Sequence, residues 1–365
     1  MFVTGCHRSG TSLITSIFKD LINEEIDESK LINPQLDNPS GFFESKRLVA
    51  FNEKLLEILG SSCSSPPITL PLWAEPPLID LLINARREFK DLAISSNWVD
   101  KDPRLCILYP AYLHILLKRV PLLVCIREPI KVAVSLYART GLSINVGLSM
   151  WFIYNHHISK SMTEDDSLYF YDEFLNASGD NSELHIYEQC CKTIEKIGGQ
   201  LPSFEKFREI LKKRVKTNLN RCSSLASALN ENICNLELLN TCNDAYQKLN
   251  ASQKDLQIYQ ESFMSIPSSA LKILYEEKKL NIPNYNSEIK NTSELVILGE
   301  SHKDLEEKLE KNKKELIHLR KTHKDLEVTL KSYKNDLLVI QNTISWKLTY
   351  PIRYLKEKIN SLLDS

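Results

Sequence analysis

The residues with the clearest chemical meaning sit in the first dozen positions. Gly5-Cys6-His7-Arg8-Ser9-Gly10-Thr11-Ser12 fits the frame GxxxxG followed by two hydroxyl residues. Successive backbone N–H groups of such a loop form an anion nest, and the start of the following helix adds partial positive charge. Thr11 and Ser12 can add hydroxyl donors. A nucleoside triphosphatase has lysine where Thr11 stands, because that lysine reaches the β and γ phosphates and the next hydroxyl holds Mg²⁺. Here the basic residue comes earlier, at Arg8. That suits a single phosphate bearing a transferable group better than a magnesium triphosphate. The plain alternative is a tight strand-to-helix turn with no ligand.

A second anion signal lies further along. Val120 to Ile126 is a short apolar run rich in β-branched residues, which predicts a buried parallel strand. Arg127-Glu128-Pro129 ends it, and Ser135 follows on the next helix. An arginine at the C-terminal end of a strand stands where open α/β sheets bind ligands. Arg127 and Ser135 could share one anion, the arginine through its planar fork. The plain alternative is an Arg127 ion pair at a helix start.

The elements that must position these residues can be read in order. A strand over Met1 to Thr4 leads into the loop, and a helix begins near Thr11 with Leu13, Ile14, Ile17, Phe18 and Leu21 on one face. Helices follow from about Glu44 to Leu59 and over Leu78 to Leu92, separated by a Ser- and Pro-rich loop from Ser61 to Pro77. Trp98 and Val99 lead into Lys101-Asp102-Pro103-Arg104, a strand end and turn. Leu168 to Tyr171 forms a further strand and Leu184 to Ile197 a helix. Strands alternating with helices predict an α/β fold, a three-layer, P-loop-like parallel sheet flanked by helices.

With these motifs in place, the chain resembles the sulfotransferases that use 3′-phosphoadenosine 5′-phosphosulfate, over roughly residues 1 to 200. Arg8-Ser9-Gly10-Thr11-Ser12 looks like the family's 5′-phosphosulfate loop, and Arg127-Glu128-Pro129 with Ser135 looks like its 3′-phosphate site. Asn38-Pro39-Ser40-Gly41-Phe42-Phe43-Glu44 resembles the loop of bacterial members that presents a glutamate as acceptor base. Lys101-Asp102-Pro103-Arg104 resembles the segment that closes over the transferred sulfuryl group, and Leu168 to Phe174, with Tyr171 and Asp172, is similar to a downstream strand-turn. One departure stands out: many members carry lysine in the first loop where this chain has Arg8.

The resemblance implies a sulfuryl transfer to a hydroxyl acceptor. Glu44 would be the general base, with His7 and Asp102 as competitors, and Lys101 and Arg8 would stabilise the developing charge. His7, Arg8, Ser9, Gly10, Thr11 and Ser12 would hold the 5′ end of the nucleotide, and Arg127 and Ser135 its 3′ phosphate. The reaction would need no metal. Arg104 receives no role. Trp151, Asn155, His156 and His157 could line the acceptor site, although Trp151 reads more simply as packed core.

Beyond the first 205 residues, which make up the sulfotransferase-like domain, the sequence changes character. Residues 206–290 are helical, polar and rich in asparagine. Residues 291–344 carry heptads in which Leu295, Leu298, Leu305, Leu309, Leu316 and Leu319 lead on to Leu326, Leu330, Tyr333, Leu337, Ile340 and Ile344, flanked by Lys and Glu. That pattern predicts a long coiled coil and a homo-oligomer; the plain alternative is a helix packed on its own domain. In the amphipathic tail, 345–365, Ile344 to Arg353 resembles a short motif of bacterial surface-polysaccharide assembly, which tilts the acceptor toward a carbohydrate. Its interleaved aromatic and basic residues suit peripheral contact with a membrane surface.

Composition narrows the field. A net charge of −1 argues against a general nucleic-acid surface. Nine cysteines without CxxC or Cys/His metal spacing read as reduced thiols, and no apolar run reaches the length of a membrane span. With no leader visible ahead of the first strand, a cytoplasmic location, with membrane association through the tail, is expected. Two other function classes compete. A P-loop kinase needs the lysine that Thr11 replaces. A catalytically inactive nucleotide-binding scaffold predicts damaged motifs, whereas Arg8, Lys101, Arg127 and Ser135 are all present.

Overall fold

A computed structural model describes residues 1–280, apart from 35–40, 77, 96–97, 178, 216–233 and 253 and the side chains of 277–280. The predicted coiled coil and tail lie outside the described residues. The chain opens with β1 (Phe2–Thr4), α1 (Thr11–Leu21), α2 (Lys46–Ile58), α3 (Leu78–Ala85) and α4 (Lys90–Ile94). Then come β2 (Asp100–Lys101), α5 (Leu105–Leu116), β3 (Leu122–Ile126), α6 (Pro129–Thr140), α7 (Ile144–Ser159) and β4 (Ser167–Phe170). Helices α8 (Tyr171–Leu175), α9 (Asp180–Lys196), α10 (Phe204–Arg214), α11 (Leu236–Ala251), α12 (Leu256–Ser262) and α13 (Ser268–Leu280) complete the described part.

The four strands form one parallel sheet in the order β2-β1-β3-β4. Phe2 pairs with Asp100 on one side and Leu122 on the other, and Leu123 pairs with Ser167. The period-two alternation of a strand then divides the core cleanly. Phe2, Leu122, Val124, Ile126, Leu168 and Phe170 face one layer of helices, where α2, α5, α6 and α7 pack. Val3, Leu123, Cys125 and Tyr169 face the other, where α1, α9 and α10 supply Ile14, Phe18, Ile186, Ile194 and Phe207. Both faces are therefore buried, which explains why β3 reads as a continuous apolar run rather than an alternating one. Each fully buried Leu, Ile or Phe contributes roughly 1.5–3 kcal/mol.

The topology fixes where a ligand can enter. The helix after β1 packs on one face of the sheet, and the helix after β3 packs on the other. Adjacent parallel strands whose helices diverge leave a crevice beyond their carboxyl ends. The loop from Gly5 to Gly10 and the segment beginning at Arg127 border that crevice. Helices α11 to α13, in the region that the sequence sets apart as 206–290, pack into the same core through Leu238, Cys242, Leu249, Tyr259, Phe263 and Leu274. α6 and α7 approach closely, so that a Cβ on Gly147 would lie 2.8 Å from Ala133 Cα. That approach holds α6, and Ser135 on it, close against the buried α7.

Candidate active site

The first loop is shaped by two close approaches. A Cβ on Gly5 would lie 2.3 Å from the carbonyl oxygen of Cys125 in β3, so only glycine lets the chain leave β1 there. Gly10, at φ +87°, would put a Cβ 1.9 Å from Tyr171 Cδ2, at the end of β4. Gly10 is also the N-cap of α1 and has no side chain to occupy the first-turn N–H groups, an arrangement that could accept an anion. Between these glycines, Arg8 adopts φ +71°, a left-handed conformation uncommon for a residue with a Cβ. Phe43, just before Glu44, does the same at φ +56°. Such strain gathers at ligand sites, where surrounding contacts over-determine it.

The two anion motifs meet. Arg8 Nε donates to Ser135 Oγ at 2.9 Å across 127 residues of sequence. Arg127 Nη1 donates to the carbonyl of Arg8 at 3.1 Å. The Arg127 guanidinium lies over the Tyr171 ring at 4.6 Å, and the indole of buried Trp151 donates to the Arg127 carbonyl at 3.0 Å. Ser9 is 1% exposed, and its hydroxyl is buried without a hydrogen-bond partner among the described residues. Buried hydroxyls are normally satisfied, so an unmet one inside an anion loop fits a ligand oxygen.

On the other side of the loop, Lys101 ends β2. It is 2% exposed and forms an ion pair with Glu44, which is 14% exposed. Glu44 stands ahead of α2, whose N-cap is Ser45; the Ser45 hydroxyl accepts from Leu48 N–H and donates to Asp100 at 2.7 Å. Burial pushes the Asp100 carboxyl above its ordinary range. Asp102, a sequence candidate for the base, is closed to an acceptor. One carboxylate oxygen accepts from the Arg104 backbone and guanidinium, at 2.8 and 3.1 Å, and the other from Asn52 at 3.0 Å. Asn52 in turn accepts from Tyr112 at 2.8 Å, so Asp102 anchors the turn after β2. Arg104, which the sequence left without a role, bridges Asp102 to Glu53.

A cavity of about 420 Å³ opens beside Glu44. Its polar lining includes His7, Glu44, Glu53, Arg104 and Arg139; its apolar wall includes Ile32, Val49, Leu136 and Met150. The His7 ring meets Tyr154 edge-on at 5.5 Å, and its Nε2 is buried without a partner among the described residues. Burial, with Arg104, Lys101, Arg139 and Arg8 nearby, holds the His7 ring well below the usual histidine range, so it is neutral. A volume of this size suits a small ligand, or one end of a larger one.

His7, Arg8, Ser9, Gly10, Thr11 and Ser12 thus lie on one loop and helix start, with Arg127 and Ser135 against them and Lys101 paired to Glu44. His156 and His157 do not line the cavity: both are buried, bonded to the carbonyls of Phe263 and Pro67 at 2.7 Å each. Tyr171 received no role from the sequence, yet it touches both anion motifs. Its place at the end of a parallel strand, the signal that singled out Arg127, could have found it. Among the described residues no cluster of His, Cys, Asp and Glu could hold a metal ion, and no helix is long and apolar enough to cross a membrane. Compared with known proteins, the chain matches no family model, and no curated protein or solved structure is significantly similar to it.

Proposed function

We propose that this chain is a sulfotransferase that moves the sulfuryl group of 3′-phosphoadenosine 5′-phosphosulfate to a hydroxyl of a carbohydrate acceptor. The observation that carries the reading is the meeting of the two anion motifs: Arg8 on Ser135, and Arg127 on the backbone of Arg8, at the carboxyl ends of β1 and β3. A nucleotide with phosphates at both its 3′ and 5′ positions needs two such groups side by side, and a nucleoside triphosphate does not. The orphaned Ser9 hydroxyl and the uncapped start of α1 supply neutral donors for the 5′ end.

In this mechanism the acceptor hydroxyl enters from the cavity. Its oxygen attacks sulfur in line as the S–O bond to the 5′ phosphate breaks, and adenosine 3′,5′-bisphosphate leaves with that electron pair. Glu44 accepts the hydroxyl proton at hydrogen-bond distance. Lys101 and Arg8 stabilise negative charge gathering on the sulfuryl and bridging oxygens. Arg127 and Ser135 hold the 3′ phosphate and select this nucleotide over ATP, and fixed cations take the part of a metal.

The test is calorimetric titration with adenosine 3′,5′-bisphosphate, and separately with ATP and Mg²⁺, on wild type and Arg127→Ala. The expected result is selective bisphosphate binding, weakened at least tenfold in the variant. Preference for Mg-ATP, or no bisphosphate binding, would overturn the reading.

A further inference from the structure

One polar atom at the site has no work in the mechanism above, on which this inference rests. His7 is the neighbour of Arg8 in the phosphate loop, yet it lines the same cavity as Glu44, Glu53 and Arg104. Its Nε2 is buried without a hydrogen-bond partner among the described residues, a state that native side chains rarely keep once their ligand is bound. The edge-on contact with Tyr154 restrains the ring, and Tyr154 is itself tied down through its hydroxyl, which donates to the Cys63 carbonyl at 2.8 Å. This imidazole is therefore packed against a fixed ring and keeps a buried, unmet nitrogen.

We propose that His7 Nε2 bonds a second oxygen of the acceptor. The site then takes polyhydroxylated acceptors through two neighbouring oxygens, the reacting one on Glu44 and the other on His7. His7 is a poor proton sink, because burial and the cations around it, Arg104, Lys101, Arg139 and Arg8, disfavour its charged form. A neutral imidazole still makes a full hydrogen bond, as donor or acceptor. The apolar wall of Ile32, Val49, Leu136 and Met150 offers packing for the carbon face of a pyranose ring. A single phenolic hydroxyl would satisfy Glu44 and leave His7 unmet, so the pair of groups discriminates between the two acceptor classes.

The test uses the full chain, with adenosine 3′,5′-bisphosphate affinity measured first. Turnover of 3′-phosphoadenosine 5′-phosphosulfate is then followed with methyl α-D-gluco-, galacto- and mannopyranosides and with p-nitrophenol, on wild type, His7→Ala and His7→Gln. The ring ¹⁵N signals of His7 in the bisphosphate-bound wild type are recorded with and without each pyranoside. His7→Ala is expected to raise the pyranoside KM about tenfold relative to that of p-nitrophenol, the scale of one unmet buried polar group. His7→Gln, whose amide reaches near the Nε2 position, is expected to recover most of that loss, and a productive pyranoside to shift the ring signals. The proposal is overturned if His7→Ala weakens bisphosphate binding as much as turnover, or lowers kcat on both acceptor classes at unchanged KM. It is overturned equally if no pyranoside is turned over or moves the ring signals. Failure of the bisphosphate to bind wild type would instead remove the nucleotide reading, and this inference with it.

Discussion

Gly10→Ala is the most informative single substitution, because the structure gives its cost two separate sources. At φ +87° the residue is in the left-handed region, which penalises any Cβ by roughly 1–2 kcal/mol. The added methyl would also lie 1.9 Å from Tyr171 Cδ2 and 2.6 Å from Cγ. Those are ring atoms close to the backbone, so the ring cannot simply bend its far end away. Overpacking of this kind costs about 1–3 kcal/mol. The Arg127 guanidinium rests on the same ring at 4.6 Å, so moving it disturbs the second anion motif as well. Together these predict a loss of about 2–5 kcal/mol in stability, and weaker binding of adenosine 3′,5′-bisphosphate.

Urea unfolding followed by tryptophan fluorescence gives the first quantity, since Trp73, Trp98 and Trp151 are all buried. A double-mutant cycle with Tyr171→Ala separates the two sources. Removing the ring relieves the steric part and leaves the backbone part, so the pair should couple by about 1–3 kcal/mol. A Gly10→Ala variant within about 0.5 kcal/mol of wild type, or two substitutions that simply add, would refute the close approach of loop and β4 end.

Two further predictions concern titratable groups in the interior. Glu44→Gln leaves Lys101 almost fully buried without its counter-charge, which predicts a loss of about 3 kcal/mol in urea unfolding. Adding Lys101→Met to that variant should recover at least about 1 kcal/mol, and no recovery would mean that the pair is not what Glu44 contributes. His157 is pushed down to about 4 by burial, against an ordinary 6.5. Between these values the unfolded chain binds more protons than the folded one, so stability rises with pH through the window and is lost as pH falls from 6.5 toward 4, by up to roughly 3 kcal/mol. His157→Gln keeps a donor for the Pro67 carbonyl and removes the titration, so its stability curve should be flatter over that range; an unchanged slope would contradict the neutral, buried histidine. Asp100 and Asp166 lean the other way, burial raising both carboxyls, so the difference between variant and wild type carries this test.

The parts of the site that could be read from the sequence are those held by local chemistry. A GxxxxG loop after a strand, and an arginine ending an apolar run, each mark a candidate anion motif within a dozen residues. Contacts across the chain leave no such local trace. Glu44 and Lys101 are 57 residues apart, and nothing in either segment shows that they pair with each other. The sequence leaves Asp102 as a competitor of Glu44 for the base, and only the fold brings Asn52 and Arg104 onto both of its oxygens. β2 is only two residues long, too short for any periodicity, and the sheet defines it through pairing with β1. The buried stripe of α11, which includes Leu238, Cys242, Ala245, Tyr246 and Leu249, has helical spacing, but the polar, asparagine-rich surroundings hide it.

The buried pairing of Lys101 with Glu44 bears directly on how a metal-free transfer could run. A lysine 2% exposed cannot be left without a negative partner at small cost. Glu44 fills that role, and in doing so holds a carboxylate beside the cavity. A sulfuryl group arriving on the Arg8 side would bring oxygens able to take over Lys101. Each increment of that exchange frees Glu44 to accept a proton, so the same event that places the electrophile would arm the base. The two candidate carboxylates, Glu44 and Asp102, therefore have different fates for a physical reason. Both oxygens of Asp102 are taken, by the Asn52 amide and by the Arg104 backbone and guanidinium together, while Glu44 is bound by the single cation Lys101, for which a substrate anion can compete.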